Sequence, residues 1–129
     1  MSTVITDVMV AEVLEKDADL LVTEGWCRGS SRKRDKLGRM SYCTVGAIYQ
    51  VLQLDEDVDV NRSQVYWKAI RLLDRAIPAP IQVVDPALLG DIGFNDDQNV
   101  IHFNDHVAKE VGDVTDVLLR VAKDLRNAQ

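Results

Sequence analysis

Cys27, Cys43, His102 and His106 make up the residue set of a Cys2His2 zinc site. The two histidines are four positions apart, a spacing that places both ligands on one face of a helix. The cysteines have fifteen residues between them, whereas a zinc knuckle keeps about two to four. That spacing predicts small buried thiols rather than ligands. Cys27 could instead serve as a nucleophile, because the neighbouring Arg28 favours a thiolate. The negative end of the helix expected just before it opposes that charge, and no histidine stands at a readable catalytic spacing. Asp55-x-Asp57-x-Asp59 opens like a calcium loop. However, Val60 occupies the position that needs glycine, and Tyr66 the position that needs a bidentate glutamate. These residues predict a solvated acidic connector. No catalytic residue, metal or cofactor is expected.

Charge gives a stronger signal. Arg28, Arg32, Lys33, Arg34, Lys36 and Arg39 lie close together, opposed only by Asp35, in a 129-residue chain of formal net charge −6. Such a loop could meet a phosphate backbone or an acidic protein surface. It has no interleaved aromatic residue for base stacking, and the acidic remainder would repel a long nucleic acid. Asn104-Asp105 reads as a turn or helix cap, since short amide and carboxylate side chains bind nearby backbone N–H groups. Asp105 has no second carboxylate at a spacing that would make it a general base. Trp26, Trp67 and Phe103 are expected as core or half-buried anchors. Trp26 is expected to brace the first loop against Phe103-Asn104-Asp105; exposed, it would instead be an interface hot spot.

The elements that position these residues follow from periodicity. A helix is expected from about Thr6 to Glu24, with Val10, Ala11, Leu14, Ala18 and Leu21 on one face and Gly25 where it stops. A polar loop follows from about Cys27 to Ser41. A second helix is expected from near Ser41 to Leu52, where Gly46 and Ala47 permit close approach of a neighbour. Asn61 and Gln64 suggest a capping box for a third helix that reaches Ala76, stopped by Pro78 and Pro80. Residues 78–104 are the least regular, and are expected to wrap across the helices. Ile81–Val84 and Val100–Phe103 are allowed as a two-stranded ribbon. The last helix has the clearest stripe: Val114, Val117, Leu118, Val121 and Leu125, with Asp113 near its start.

The fold expected is therefore mainly α, a single compact domain over residues 1–129 with about four helices and room for one short ribbon. A composition of 47% hydrophobic and 28% charged residues suits a globular domain. This length can bury enough surface to fold without metal or disulfide. No apolar run approaches a membrane span. The first residues lack the basic flank and apolar core of a signal peptide, so a cytoplasmic location with reduced thiols is expected.

Four short patterns in order carry a resemblance: Gly25-Trp26-Cys27; Gly38-Arg39 with Cys43-x-x-Gly46-Ala47; the aliphatic third helix; and Phe103-Asn104-Asp105 ahead of Asp113-Val114. Together they resemble a family of small uncharacterised proteins of actinobacteria and their phages. The resemblance spans about Val13 to Leu125. Phe103 stands where that family usually has Trp, and Val107 where proline is common. The loop here is more basic, and residues 78–98 are longer. The resemblance implies a fold and a bacterial or phage origin, and brings no activity with it.

The favoured reading of function is a non-enzymatic protein–protein interaction, in an accessory or phage protein acting on a host component. Its contact set would be Arg28, Arg32, Lys33, Arg34, Lys36 and Arg39. Nucleic-acid binding through the same loop is the first alternative, and a small enzyme centred on Cys27 the second. The sequence leaves self-association open.

Overall fold

A computed structural model describes residues 6–53, 60–77 and 96–128. The protein is mainly helical. Helix α1 (Asp7–Thr23) starts where Thr6 accepts a hydrogen bond from the Met9 N–H at 3.2 Å, which satisfies one of the free donors of the first turn. Val10, Leu14 and Leu21 are fully buried along one face. An antiparallel ribbon follows, β1 (Arg32–Arg34) with β2 (Met40–Tyr42), in the register Arg32 to Tyr42, Lys33 to Ser41 and Arg34 to Met40. Helix α2 (Thr44–Leu52) begins directly after it and α3 (Val60–Ala76) comes next. The short α4 (Asp96–His102) runs into a π-helical turn, Phe103–Val107. Helix α5 (Val111–Asn127) closes the fold.

Helices α1 and α5 form the most extensive pairing, and α1 also packs on α2. Arg126 of α5 grips Glu15 of α1 with two hydrogen bonds of 2.7 and 2.8 Å. That bond, helped by the nearby positive charge, holds the Glu15 carboxyl below its ordinary range despite some burial. Leu14, Leu21, Ile48, Ile70, Leu73 and Leu118 are the large side chains at the centre, and one core cluster draws on all five helices. Helix α5 carries a reciprocal cap, with Glu110 and Asp113 each accepting the other's backbone N–H.

Four features differ from those the sequence suggests. The ribbon lies in the first loop. Val100–Phe103, allowed above as a strand, is helical, because Val100 and Phe103 are both buried at i, i+3 spacing and a strand would turn them to opposite faces. Helix α2 starts at Thr44 rather than Ser41, because Met40–Tyr42 is spent on strand pairing. The residues expected to wrap across the helices are, from Asp96 onward, a helix packed on α3. The Asp55–Asp59 connector, the Asn61 side chain and residues 78–95, with Pro78, Pro80 and the allowed strand Ile81–Val84, lie outside the described residues. No helix among the described residues is long and apolar enough to cross a membrane.

Candidate functional site

The first loop leaves α1 through Gly25, whose φ of +138° suits glycine alone among the common residues. Trp26 then pairs with Tyr42 in an isolated parallel bridge. The Tyr42 N–H donates to the Gly25 carbonyl, and the Cys27 N–H to the Tyr42 carbonyl, both at 2.9 Å. The next rung of such a ladder would join the Thr44 N–H to the Cys27 carbonyl. Asn104 takes that place. Its Oδ1 accepts from the Thr44 N–H and its Nδ2 donates to the Cys27 carbonyl, each at 3.0 Å. The carboxamide is thus a surrogate peptide group between two diverging segments. Its Oδ1 also accepts from the Thr44 hydroxyl and from Trp26 Nε1, both at 2.7 Å. Asn104 is completely buried, and every hydrogen-bonding group of its side chain is used.

Asp105 extends the brace. Its Oδ1 accepts from Asn104 Nδ2 at 2.9 Å and from the Gly29 N–H at 3.0 Å. The π-helical turn, closed by the Ala108 N–H on the Phe103 carbonyl at 2.8 Å, lets both adjacent side chains reach residues 27–29. Phe103 is buried in the core. Arg28 stacks its guanidinium 4.7 Å above the Trp26 ring and donates to the Ala108 carbonyl at 2.7 Å. Trp26 is half-buried.

Both cysteines are free and buried. The Cys27 thiol donates to the Ser30 carbonyl at 3.5 Å. Cys43 is the N-cap of α2, its sulfur accepting from the Gly46 N–H at 3.3 Å. Burial nonetheless pushes the Cys43 thiol above its ordinary pKa. Gly46 is required by contact: a Cβ there would overlap the Ser31 carbonyl, which accepts the Cys43 N–H at 3.0 Å. The His102 and His106 rings lie 5.1 Å apart. Among the described residues no group of three or more His, Cys, Asp or Glu gathers as a metal site.

The basic residues lie on an ordered hairpin. Asp35 Oδ1 accepts from the Leu37 and Arg39 N–H groups at 2.9 Å, and the Asp35 N–H meets the Arg39 carbonyl at 2.9 Å. Arg32, Lys33, Arg34, Lys36 and Arg39 are exposed. Leu37, at the tip, is 75% exposed. Arg28 stands apart from this display, because it is spent on Trp26 and Ala108. A cavity of about 310 Å³ opens where the ribbon meets α2, between Ser31, Arg32, Tyr42, Gly46, Tyr49 and Gln50. The Tyr49 ring lies 4.9 Å from that of Tyr66 at a tilt of 46°, and Tyr66 meets the 46%-exposed Trp67 edge-on at 4.9 Å.

A family model matches residues 6–124, which include the hairpin, both cysteines and the Asn104 brace. The chain belongs to DUF6197, a family of unknown function. No curated protein and no solved structure matches it. For this DUF6197 chain the geometry brings together Gly25, Trp26, Cys27, Cys43, Gly46, Asn104 and Asp105, and supports the hairpin on them. Sequence reasoning missed Thr44, Ser31 and the exposed Leu37. Asp35-x-x-Gly38 is the signal that could have located the hairpin turn.

Proposed function

We propose that this protein is a non-enzymatic interaction module whose basic hairpin docks on an acidic protein surface. The observation that carries the reading is Leu37, an apolar side chain 75% exposed at the tip of a hairpin that carries five exposed cations. A protein partner offers both an acidic rim and an apolar pocket for such a tip. Residues 28–39 hold six cations and one carboxylate in a chain of net charge −6, so the field favours an oriented encounter and repels a long polyanion beyond the hairpin. The setting proposed is the cytoplasm of an actinobacterium, or of the host of an actinobacterial phage.

A second reading has an observation of its own. Tyr49 and Trp67, both part-exposed, continue from the cavity beside Arg32. Aromatic faces beside a basic hairpin suit single-stranded nucleic acid. Affinity capture from an actinobacterial lysate, with and without nuclease, separates the two. The protein reading expects nuclease-resistant partners that Arg32→Ala/Lys33→Ala/Arg34→Ala loses and Leu37→Ala weakens. Nuclease-sensitive capture with a steep salt dependence, impaired by Trp67→Ala, gives the function to the second reading. Unchanged capture by every variant at several salt concentrations rejects both.

A further inference from the structure

We propose that Cys27 and Cys43 are a modification site, a dithiol that closes into a reversible disulfide across the root of the basic hairpin when it meets a peroxide or a small-molecule disulfide. The Trp26–Tyr42 bridge supplies the geometry. Cys27 and Cys43 are the next residues along the two parallel segments, so their side chains leave on the same side. The Cys27 N–H donates to the Tyr42 carbonyl at 2.9 Å, and that carbonyl belongs to the peptide group that carries Cys43. The planar trans peptide holds the Cys43 Cα about 2.8 Å from the Tyr42 oxygen, and the Cys27 Cα is one N–Cα bond of about 1.46 Å from the donor, so the two Cα atoms lie within about 7 Å, the outer limit of a disulfide. Both residues also sit against one short stretch of chain. The Cys27 sulfur touches the Ser30 carbonyl and the Cys43 N–H touches the Ser31 carbonyl. Burial raises the Cys43 pKa most, and charge on Cys27 is near enough to raise it further.

Cys43 borders a cavity open to solvent. The cavity, of about 190 Å³, has Gly29, Ser30, Ser31, Cys43 and Asp105 among its walls, ample for a peroxide given the ~30 Å³ that a water occupies. The Cys43 thiol, whose raised pKa makes the step slow near neutral pH, gives up its proton and its sulfur attacks the peroxide; the O–O bond breaks, a sulfenic acid forms, and the departing hydroxide takes that proton as the first water. The Cys27 sulfur then attacks that sulfenic sulfur. The S–S bond forms, hydroxide leaves with a proton as the second water, and two electrons have passed from the thiols to the peroxide. A low-molecular-weight disulfide reaches the same product by exchange, releasing two thiols. The product encloses the whole hairpin in one covalent loop. It also draws the Cys43 sulfur away from the Gly46 N–H, so oxidation ties the hairpin root while loosening the first turn of α2.

The native chain is treated with hydrogen peroxide, alkylated, cut with trypsin without reduction and weighed by mass spectrometry. The expected product is a peptide covering residues 17–28 joined to one covering residues 40–62, two hydrogens lighter than their sum and separated by dithiothreitol. No disulfide-linked dimer appears when the oxidised protein is run on a denaturing gel without reductant. The proposal is overturned if both thiols stay open to alkylation after peroxide. It is equally overturned if the linkage forms only between chains, or only after the protein is unfolded in urea.

Discussion

Asn104 stands in for a peptide group, and that substitution sets the consequence of its loss. Asn104→Ala strands the Thr44 N–H, the Cys27 carbonyl and Trp26 Nε1. Each buried group left without a partner costs about 1–3 kcal/mol, so the variant is expected to lose roughly 3–5 kcal/mol, the range of severe single substitutions. Trp26→Phe removes one of three donors to the same oxygen, and keeps most of the ring beneath Arg28. Its expected cost is about 1 kcal/mol. Urea unfolding of both variants reads the difference, and equal losses would show that the carboxamide is not the centre of the brace. The types of these residues were legible in the sequence, as a tryptophan beside a helix end and an Asn-Asp pair near a later helix. A brace between Trp26 and Phe103-Asn104-Asp105 is expected from the sequence, whereas the carboxamide's bonds to Thr44 and to the Cys27 carbonyl are not. Trp26 and Thr44 lie 78 and 60 positions from Asn104, and a hydrogen bond across that separation leaves no periodicity to read.

Helices and hairpin differ in how openly the chain announces them. The stripe Val114, Val117, Leu118, Val121 repeats at helical spacing and is buried at every one of these positions, because packing one face is what makes such a helix stable. Strand β1 has no apolar face, being exposed at all three residues, and only β2 reaches the core, through Tyr42 and Met40. The hairpin's order comes from Asp35, whose carboxylate gathers the Leu37 and Arg39 N–H groups, a local device hidden among basic residues. Val100–Phe103 misled for the opposite reason, since a four-residue apolar run suits a strand or a buried helix end equally. Asp35→Ala is accordingly expected to melt the hairpin tip and leave the helical core in place. Trypsin should cut after Lys36 several-fold faster, because cleavage follows local opening. Global stability should fall by less than about 1 kcal/mol, since the bonds lost are exposed. A cleavage rate equal to that of the wild type would mean that ribbon pairing alone orders the tip.

At the scale of the whole molecule, one residue on α1 makes stability depend on pH. Asp17 lies in the inward stripe, three positions after Leu14 and four before Leu21, and is completely buried. Neither carboxylate oxygen has a hydrogen-bond partner among the described residues. Removal from water disfavours the ionised form, so burial raises its pKa well above the ordinary 3.8. The sign follows directly. Below about pH 4 the folded and unfolded chains both carry the proton, and Asp17 does not weaken the fold. As pH rises past the unfolded value, the unfolded chain ionises while the folded chain holds its proton, and stability falls. The loss is about 1.4 kcal/mol per pH unit until the folded pKa is reached, beyond which it stops growing. Glu15, held low by Arg126, works in the opposite direction, so the wild-type profile alone would blur the two. Asp17→Asn retains the shape and removes the proton equilibrium. Urea unfolding of both proteins at pH 5, 6 and 7 should show the wild type losing ground to Asp17→Asn as pH rises, until the folded pKa is reached. Parallel stability curves across that range would mean that Asp17 ionises in the folded protein as readily as in the unfolded chain, and that the core around α1 is wetter than its packing implies.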